Sequence, residues 1–340
     1  MRDLAISLVR APELSYGQLE KTKEQKETMK NTTAQQEAMR NDFRFGVEVE
    51  MNGIGRGVAA EIAANFFGTD RYANTASRNA YMTWSAYDAQ GREWKFSKDA
   101  SIAGLDYEKT ELITPVLGYD DIPMLKELLS TLKDAGAVSC PNVGAGVHIH
   151  VSRCNNFSVK DIKNIVNIMA AHEEQIGRAI KIAEKRTERY CKVISPEFLK
   201  MMREQNPTTM KKLEECWYVG NDGTAAYRKR LDHYNKTRYH MLNLHSFFNG
   251  HGTVEFRLFQ FSNENGIDCD EMEAYIMLCL GIAALACSIT KASSKPQQTE
   301  NEKYALRCWL LRLGFIGDEF KTARAVLLKN FEGSPAWRDR

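Results

Sequence analysis

Three short stretches of the chain alternate apolar and polar residues with a period of two. They are residues 45–51, 147–151 and 254–258, and in each of them apolar side chains enclose two polar ones. Successive side chains of a β-strand point to opposite faces, so each stretch predicts a strand with one apolar and one polar face. The enclosed pairs are Glu48 with Glu50, His148 with His150, and Glu255 with Arg257.

Other segments predict further strands and a set of helices. Strands are expected at 93–96, 110–113, 239–246 and 253–259, and the last two would be joined by a hairpin turn at 249–252. Apolar residues at helical spacing predict the helices, some with a cap or a glycine stop. The expected helices are 58–67, with Val58, Ile62 and Phe66 on one face; one capped by Asp120 or Asp121 and ended by Gly136; one opened by Ser158 and Asp161; and 270–290, 302–313 and 318–331.

These elements predict a single α+β domain at residues 43–335. We expect one antiparallel β-sheet whose polar face is the floor of an active site and whose other face packs on helices. Residues 1–42 form a polar N-terminal extension, since they contain few large apolar side chains. Residues 195–235 are polar, rich in Lys and Glu and without a clear period, which indicates an insertion or a lid.

Composition limits the function classes. The chain has 340 residues and a net charge of +2, and a nucleic-acid binder would usually carry a larger basic excess. The apolar run at 274–289 is shorter than a bilayer span and reads as a core helix, and the first 11 residues are too short an apolar run for a secretory signal. The eight scattered cysteines indicate reduced thiols in a cytoplasmic protein. Among them Cys191 stands out because Arg189 and Lys192 are close to it in the sequence.

Two carboxylates on one strand face repel each other unless a cation lies between them, so Glu48 and Glu50 are candidate ligands of a hard metal ion. A solvated strand face is the alternative. Asp99 and Glu111 would extend the set to a carboxylate cage with Glu255, which suits Mg²⁺ or Mn²⁺ better than Zn²⁺. His148 and His150 are either two ligands, or one ligand and one hydrogen-bonded core histidine.

Arg257 shares a strand face with Glu255. It is either a fixed cation for a phosphoryl group or the partner of a structural ion pair. Clusters of acids around hard ions commonly hold nucleotide phosphates, so the pattern points towards phosphoryl chemistry.

Six segments, in this order, resemble the motifs of the amidoligases, which are carboxylate-amine ligases related in fold to glutamine synthetase and glutamate-cysteine ligase. The resemblance covers roughly residues 43–290. One departure is Ala100, where the family usually has glycine in an Asp-Gly-Ser turn. The segments are Phe45–Glu50, Gly91–Lys95 with Asp99–Ile102, Glu111–Pro115, Gly146–Val151, Arg238–Leu244 and Gly252–Phe259.

The resemblance implies an ATP-dependent enzyme of glutamine synthetase-like fold that binds two or three magnesium ions. It implies Glu50, Asp99 and Glu111 around one ion, Glu48, one of the two histidines and Glu255 around another, and Arg257 on the phosphates. By the same resemblance, Arg189 contacts phosphate or substrate and Asn243 lines the pocket.

The expected reaction is amide formation between a small-molecule or peptide carboxylate and an amine, through an acyl phosphate. Glu48, Glu255 and Arg257 are its catalytic candidates. Two alternatives remain open: a metal-dependent hydrolase that needs no nucleotide, and a non-catalytic relative that binds ATP and metal. The sequence leaves the identity of both substrates and the oligomeric state open.

Overall fold

The protein is described by a computed structural model, in which residues 33–76, 81–263 and 266–336 are placed. Eight strands form one sheet in the order β2-β3-β4-β5-β1-β6-β8-β7, and every pairing between them is antiparallel. The predicted mixture of helices and an antiparallel sheet is confirmed. The strands are β1 Phe43–Met51, β2 Tyr72–Ala76, β3 Thr83–Tyr87, β4 Glu93–Ser97, β5 Thr110–Ile113, β6 Val147–Arg153, β7 Leu242–Asn243 and β8 Val254–Phe259.

Helices cover the apolar face of the sheet. Helix α8 packs against β6 with α3, α4 and α10 around it, while α2 packs against β3 and β4. The apolar side chains of β1 at 45, 47, 49 and 51 are buried beneath this layer. The helices are α1 33–41, α2 Arg56–Phe66, α3 Ile122–Asp134, α4 Val159–Ala179, α5 Glu184–Arg189, α6 Pro196–Gln205, α7 Met210–Arg228, α8 Cys269–Ser288, α9 Glu302–Arg312 and α10 Lys321–Leu328.

Helix α8 is the centre of the helical layer. It is long and apolar enough to cross a membrane, but 83% of its most apolar stretch is buried inside the protein. Its sequence is apolar on all sides because it contacts the sheet on one side and other helices around it. The prediction of a buried core helix is confirmed.

Helix starts predicted from capping residues are partly confirmed. Ser158 accepts a hydrogen bond from Asp161 N, and the Asp161 carboxylate accepts one from Ser158 N, so α4 begins with the predicted capping box. Asp121 lies at the start of α3 but does not cap it. Its carboxylate instead accepts hydrogen bonds from Arg92 and from Gly118 N.

The larger apolar residues predicted to share one face of α2 are not its buried face, and Val58 is 54% exposed. Ile62 and Phe66 are half-buried, and the deeply buried side chains are the alanines at 59, 60, 63 and 64. Small side chains let the helix lie close to β3 and β4, so steric fit selects the alanine face over the one with larger apolar residues. Strands β2 and β3 were not predicted from the sequence.

The last two predicted strands do pair antiparallel, but the tight hairpin turn predicted at 249–252 is wrong. Strand β7 has only two residues, and residues 247–251 form a π-helical turn before β8 begins. Gly250 and Gly252 adopt φ values of 101° and 64°, which favour glycine. The glycines therefore end a helical turn within the connection from β7 to β8 and do not form a tight hairpin turn.

Residues 195–235 are folded as the helix pair α6 and α7. The rings of Phe198 and Trp217 pack edge to face with centroids 5.2 Å apart, and both are fully buried. Tyr218 Oη is hydrogen-bonded to His245 Nδ1 at 2.7 Å, which ties α7 to the segment after β7. The role of this region as an insertion or lid stays a prediction.

The predicted extension at 1–42 lies mostly outside the described residues, which begin at 33. Its described part is α1, whose Met39 side chain is fully buried. The Gln36 amide donates hydrogen bonds to the carbonyls of Gly314 and Ile316. Residues 33–41 are thus packed on the C-terminal helices.

Glu173 is a buried acid on helix α4 that lies outside the polar side chains predicted on the sheet. Both of its carboxylate oxygens accept from Ile194 N, at 3.2 and 2.9 Å, and burial raises the pKa of Glu173 to about 7. The folded protein therefore holds this proton more tightly than the unfolded chain does. The resulting stabilisation is complete below pH 4.5 and is lost as the pH rises through 7.

We expect the free energy of unfolding of the wild type to fall by roughly 3 kcal/mol relative to Glu173→Gln between about pH 5 and pH 8. Urea unfolding across this range measures the difference. Glu127→Gln, at an exposed position of α3, is the control and should follow the wild type. If the free energies of unfolding of the wild type and Glu173→Gln changed equally with pH, the raised pKa of Glu173 would be contradicted.

Candidate active site on the polar face of the sheet

The strand register places polar side chains of five strands beside one another on the face opposite the helices. Each strand presents every second residue to this face, so cross-strand neighbours meet directly. Asp99 follows the end of β4, and Arg257 lies two residues after Glu255 on β8. Directly opposed residues are Glu50 with Glu111, Glu48 with His148, His150 with Glu255, and Glu255 with Asn243.

Seven of these side chains form three groups in which the potential ligand atoms lie within 4.8 Å of one another. Glu48 belongs to two groups and Glu111 also belongs to two, so the groups form one continuous row. The sets implied by the resemblance are brought together, with His150 beside Glu48 and Glu255. The groups are Glu50, Asp99 and Glu111; Glu48, Glu111 and His148; and Glu48, His150 and Glu255.

Glu48 is the centre of the row. Its Oε2 lies 2.9 Å from His148 Nδ1 and its Oε1 lies 3.1 Å from His150 Nε2. Burial opposes its ionisation, but the two histidines outweigh burial and hold the pKa of Glu48 well below its usual value. In return, Glu255 and Glu48 raise the pKa of His150 against the effect of burial. Glu48 is therefore an anion at neutral pH.

Glu111 experiences the excess negative charge of the site. Burial is the largest cause that raises its pKa well above the usual value, followed by the charges of Glu48, Glu50 and Asp99. Arg257 opposes this effect but does not cancel it. A divalent cation among these oxygens would remove the repulsion, so the donor set fits a hard metal ion.

The first ligand group is held by backbone contacts. Glu50 Oε2 accepts from Gly146 N at 2.6 Å, and Asp99 Oδ1 accepts from Ser101 N at 2.6 Å. Ala100, which replaces the glycine usual in the family, is exposed and does not adopt a positive φ. Alanine therefore fits this turn without strain.

Arg257 and Asn243 both contact Glu255. Arg257 Nη1 donates to Glu255 Oε1, and Asn243 Nδ2 donates to Glu255 Oε2 at 2.7 Å. All three side chains are buried, and the carboxylates around Arg257 outweigh burial and raise its pKa. Arg257 Nε has no hydrogen-bond partner among the described residues. It is thus a permanent cation with a free donor at the end of the carboxylate row.

The second arginine at this site is Arg186, which the sequence analysis did not select. Arg186 is 6% exposed, and its Nη2 donates to the carbonyl of Arg257 at 2.9 Å. Its guanidinium lies over Gly146, where a Cβ atom would come within 2.1 Å of Nη1. Arg189, predicted to contact phosphate or substrate, is exposed at the end of α5. Both arginines belong to α5, and only packing decides which one turns inward.

We expect Arg186→Lys to reduce turnover by at least about tenfold, whereas Arg189→Lys should leave it nearly unchanged. Lysine keeps the charge but loses the planar fork that contacts the Arg257 carbonyl. The pair is matched in residue type and helix, and steady-state kinetics of both variants measures the difference. A larger loss in Arg189→Lys would restore the sequence-based assignment.

Cys191 is not a reactive thiol in this fold. It is fully buried, its Sγ–H donates to the Arg186 carbonyl, and burial raises its pKa despite the nearby arginines. A thiol that stays protonated is a poor nucleophile. The basic residues close to Cys191 in the sequence therefore do not make it a reactive thiol.

The polar face therefore defines a site with five carboxylates, two imidazoles and two buried arginines. Residues 41–283 match the model of a protein family described as "Putative amidoligase enzyme". The match spans well over half of the chain, and the chain belongs to the amidoligase family.

No curated protein sequence matches this chain. Among solved structures, the chain is similar to a bifunctional glutathione synthetase from Pasteurella multocida, with 13% identity and a TM-score of 0.38. The match covers 88% of this chain and 48% of that chain, so this chain spans about half the length of that protein. A likeness of this size supports no statement about fold family or activity.

Proposed function

We propose that the protein is an ATP-dependent carboxylate-amine ligase with a glutamine synthetase-like catalytic domain. The observation that carries the proposal is the continuous row of oxygen ligands with buried Arg257 at its end. Membership of the amidoligase family supports the ligase class. ATP, the metal and the reaction path are inferred from the chemistry of the row.

The row suits Mg²⁺, with Mn²⁺ as a possible substitute, since carboxylate oxygens are the ligands these ions prefer. Glu50, Asp99 and Glu111 would hold one ion, and Glu48, His150 and Glu255 another. Bound ions would neutralise phosphate charge during transfer. His148 forms the third group with Glu48 and Glu111, and so it lies close to one ligand of each proposed ion.

In the proposed reaction, an oxygen of the substrate carboxylate attacks the γ-phosphorus of ATP, and the bond from that phosphorus to the ADP oxygen breaks. The amine nitrogen then attacks the acyl carbon, and phosphate leaves with the electron pair of the C–O bond while the amine gives a proton to solvent. Arg257 holds a fixed positive charge at the transferred group, and its free Nε is available as a donor. Asn243 and Arg186 keep Arg257 and Glu255 in place.

The two buried arginines favour the ligase over a hydrolase that needs no nucleotide. A hydrolase needs ions that activate water, whereas buried guanidinium groups beside the ions suit the charge of a polyphosphate. All five predicted acids and both histidines are clustered, which argues against a relative that has lost catalysis.

The proposal is tested by ADP release from ATP and Mg²⁺ with a pool of amino acids and small peptides. We expect release that depends on the pool and is abolished in Glu255→Ala. Turnover of an amide without nucleotide would support the hydrolase instead. Binding of ATP without any ADP release, with protein substrates included in the pool, would support the non-catalytic relative.

A further inference from the structure

A cavity lies in the helical layer, away from the carboxylate row. It has a volume of about 950 Å³ and lies between α4, the end of α8, residues 291–301 and α9. None of its lining residues belongs to the polar face of the sheet. Cavities of this size hold a small-molecule ligand in many proteins.

The cavity carries more positive than negative charge. Lys291, Lys295 and Arg312 line it, with Glu300 as the only acid among the lining residues. None of the three cations forms an ion pair with another described residue. Unpaired cations converging on one cavity give it an electrostatic preference for anions.

Two rings form part of the cavity lining. The His172 ring stacks on Trp309 with centroids 3.9 Å apart and an interplanar angle of 15°. Burial, aided by the charge of Arg312, lowers the pKa of His172, so the ring is neutral at pH 7. The only hydrogen bond of its ring to a described residue joins Nδ1 to Gln175. Since Trp309 is buried and stacks on His172, the half-buried His172 ring is the stacking surface that the lining offers beside the cationic groups.

The outer wall of the cavity is anchored mainly at its ends. Ala292 N donates to Asn164 Oδ1 at 2.9 Å, and the Ala292 carbonyl accepts from Asn167. At the other end, Asn301 Oδ1 accepts from Tyr304 N at 3.0 Å and starts α9. Residues 293–300 between these anchors contain neither helix nor strand and are largely exposed. A wall with this construction can adjust around a ligand without disturbing the helices.

We propose that this cavity is a second ligand site, which takes a small anion carrying a planar ring, of the chemistry of a nucleoside phosphate. The ring lies against the His172 and Trp309 pair, and the phosphate is bound by Lys291, Lys295 and Arg312. The site is separate from the carboxylate row and does not depend on the ligase assignment.

The test is calorimetric titration of the full chain with AMP, GMP, CMP and UMP in EDTA, because the nucleotide site proposed on the sheet requires metal ions. We expect at least one nucleotide to bind, and the double variant Lys291→Ala, Arg312→Ala to weaken its binding by roughly tenfold or more. Arg307→Ala is the matched control, since Arg307 is on the same helix but does not line the cavity. Its dissociation constant should equal that of the wild type.

A second variant separates recognition of the ring from attraction of the phosphate. His172→Leu should weaken nucleotide binding severalfold and leave the weaker binding of inorganic phosphate unchanged, with folding checked by circular dichroism. The proposal is overturned if none of the four nucleotides binds at millimolar concentration, or if the double variant binds as the wild type does. Equal affinity for phosphate and nucleotide would also overturn it, because the cavity would then attract an adventitious ion only.

Discussion

Glu48→Gln should reduce ligase turnover by at least about a hundredfold while the protein stays folded. Glu48 belongs to two of the three ligand groups and holds both histidines through its two oxygens. Glutamine has nearly the same shape but no negative charge, so the ion held with His150 and Glu255 would bind more weakly and both histidines would lose their anionic partner. ADP release as a function of magnesium concentration measures the effect, and more magnesium should recover part of the activity.

The control for this variant is Glu93→Gln. Glu93 is a half-buried acid on β4 that lies outside the three ligand groups. It should retain wild-type turnover and magnesium dependence. If Glu48→Gln and Glu93→Gln behave alike, the row is not a metal site.

Arg257→Lys should lower kcat by roughly a thousandfold, with a smaller change in the KM for ATP. An arginine that stabilises charge in a phosphoryl-transfer transition state contributes about this much, and lysine cannot reproduce its fork. The lysine still offers a positive charge to buried Glu255, which limits the loss of stability. Steady-state kinetics and thermal unfolding together separate the two effects.

Arg44→Lys is the matched control for Arg257→Lys. Arg44 lies on β1, and its guanidinium donates to backbone carbonyls at the start of that strand. Its replacement should leave kcat unchanged. An increase in the KM for ATP with an unchanged kcat in Arg257→Lys would assign Arg257 to ground-state binding and not to phosphoryl transfer.

Period-two alternation was sufficient to predict the centre of the sheet. In β1, β6 and β8 the apolar residues are buried and the polar residues share one face, so the pattern itself placed Glu48, His148 and Glu255 together. Such strands have a register that is fixed by burial of one face, and cross-strand neighbours then follow. The capping box at the start of α4 was also predicted correctly from the sequence.

The missed features depend on tertiary packing. Four of the five residues of β2 are exposed and Ala76 is half-buried, so the strand has no alternating burial pattern. Val58 is apolar but exposed, because the small alanines of α2 fit against the sheet and are buried instead. Arg186 and Arg189 differ only in how α5 is oriented over Gly146, which no local pattern encodes. Propensity and period act locally, whereas these choices are made by steric fit between distant segments.

Strand β1 is bonded to β5 on one side and β6 on the other, and it carries Glu48 and Glu50 in the middle of an eight-stranded sheet. Backbone amides in such a strand exchange with solvent mainly through opening of the whole domain. Glu48 and Glu50 therefore cannot become disordered while the rest of the protein stays native. Heat inactivation should coincide with global unfolding, without an earlier step in which a folded but inactive form accumulates.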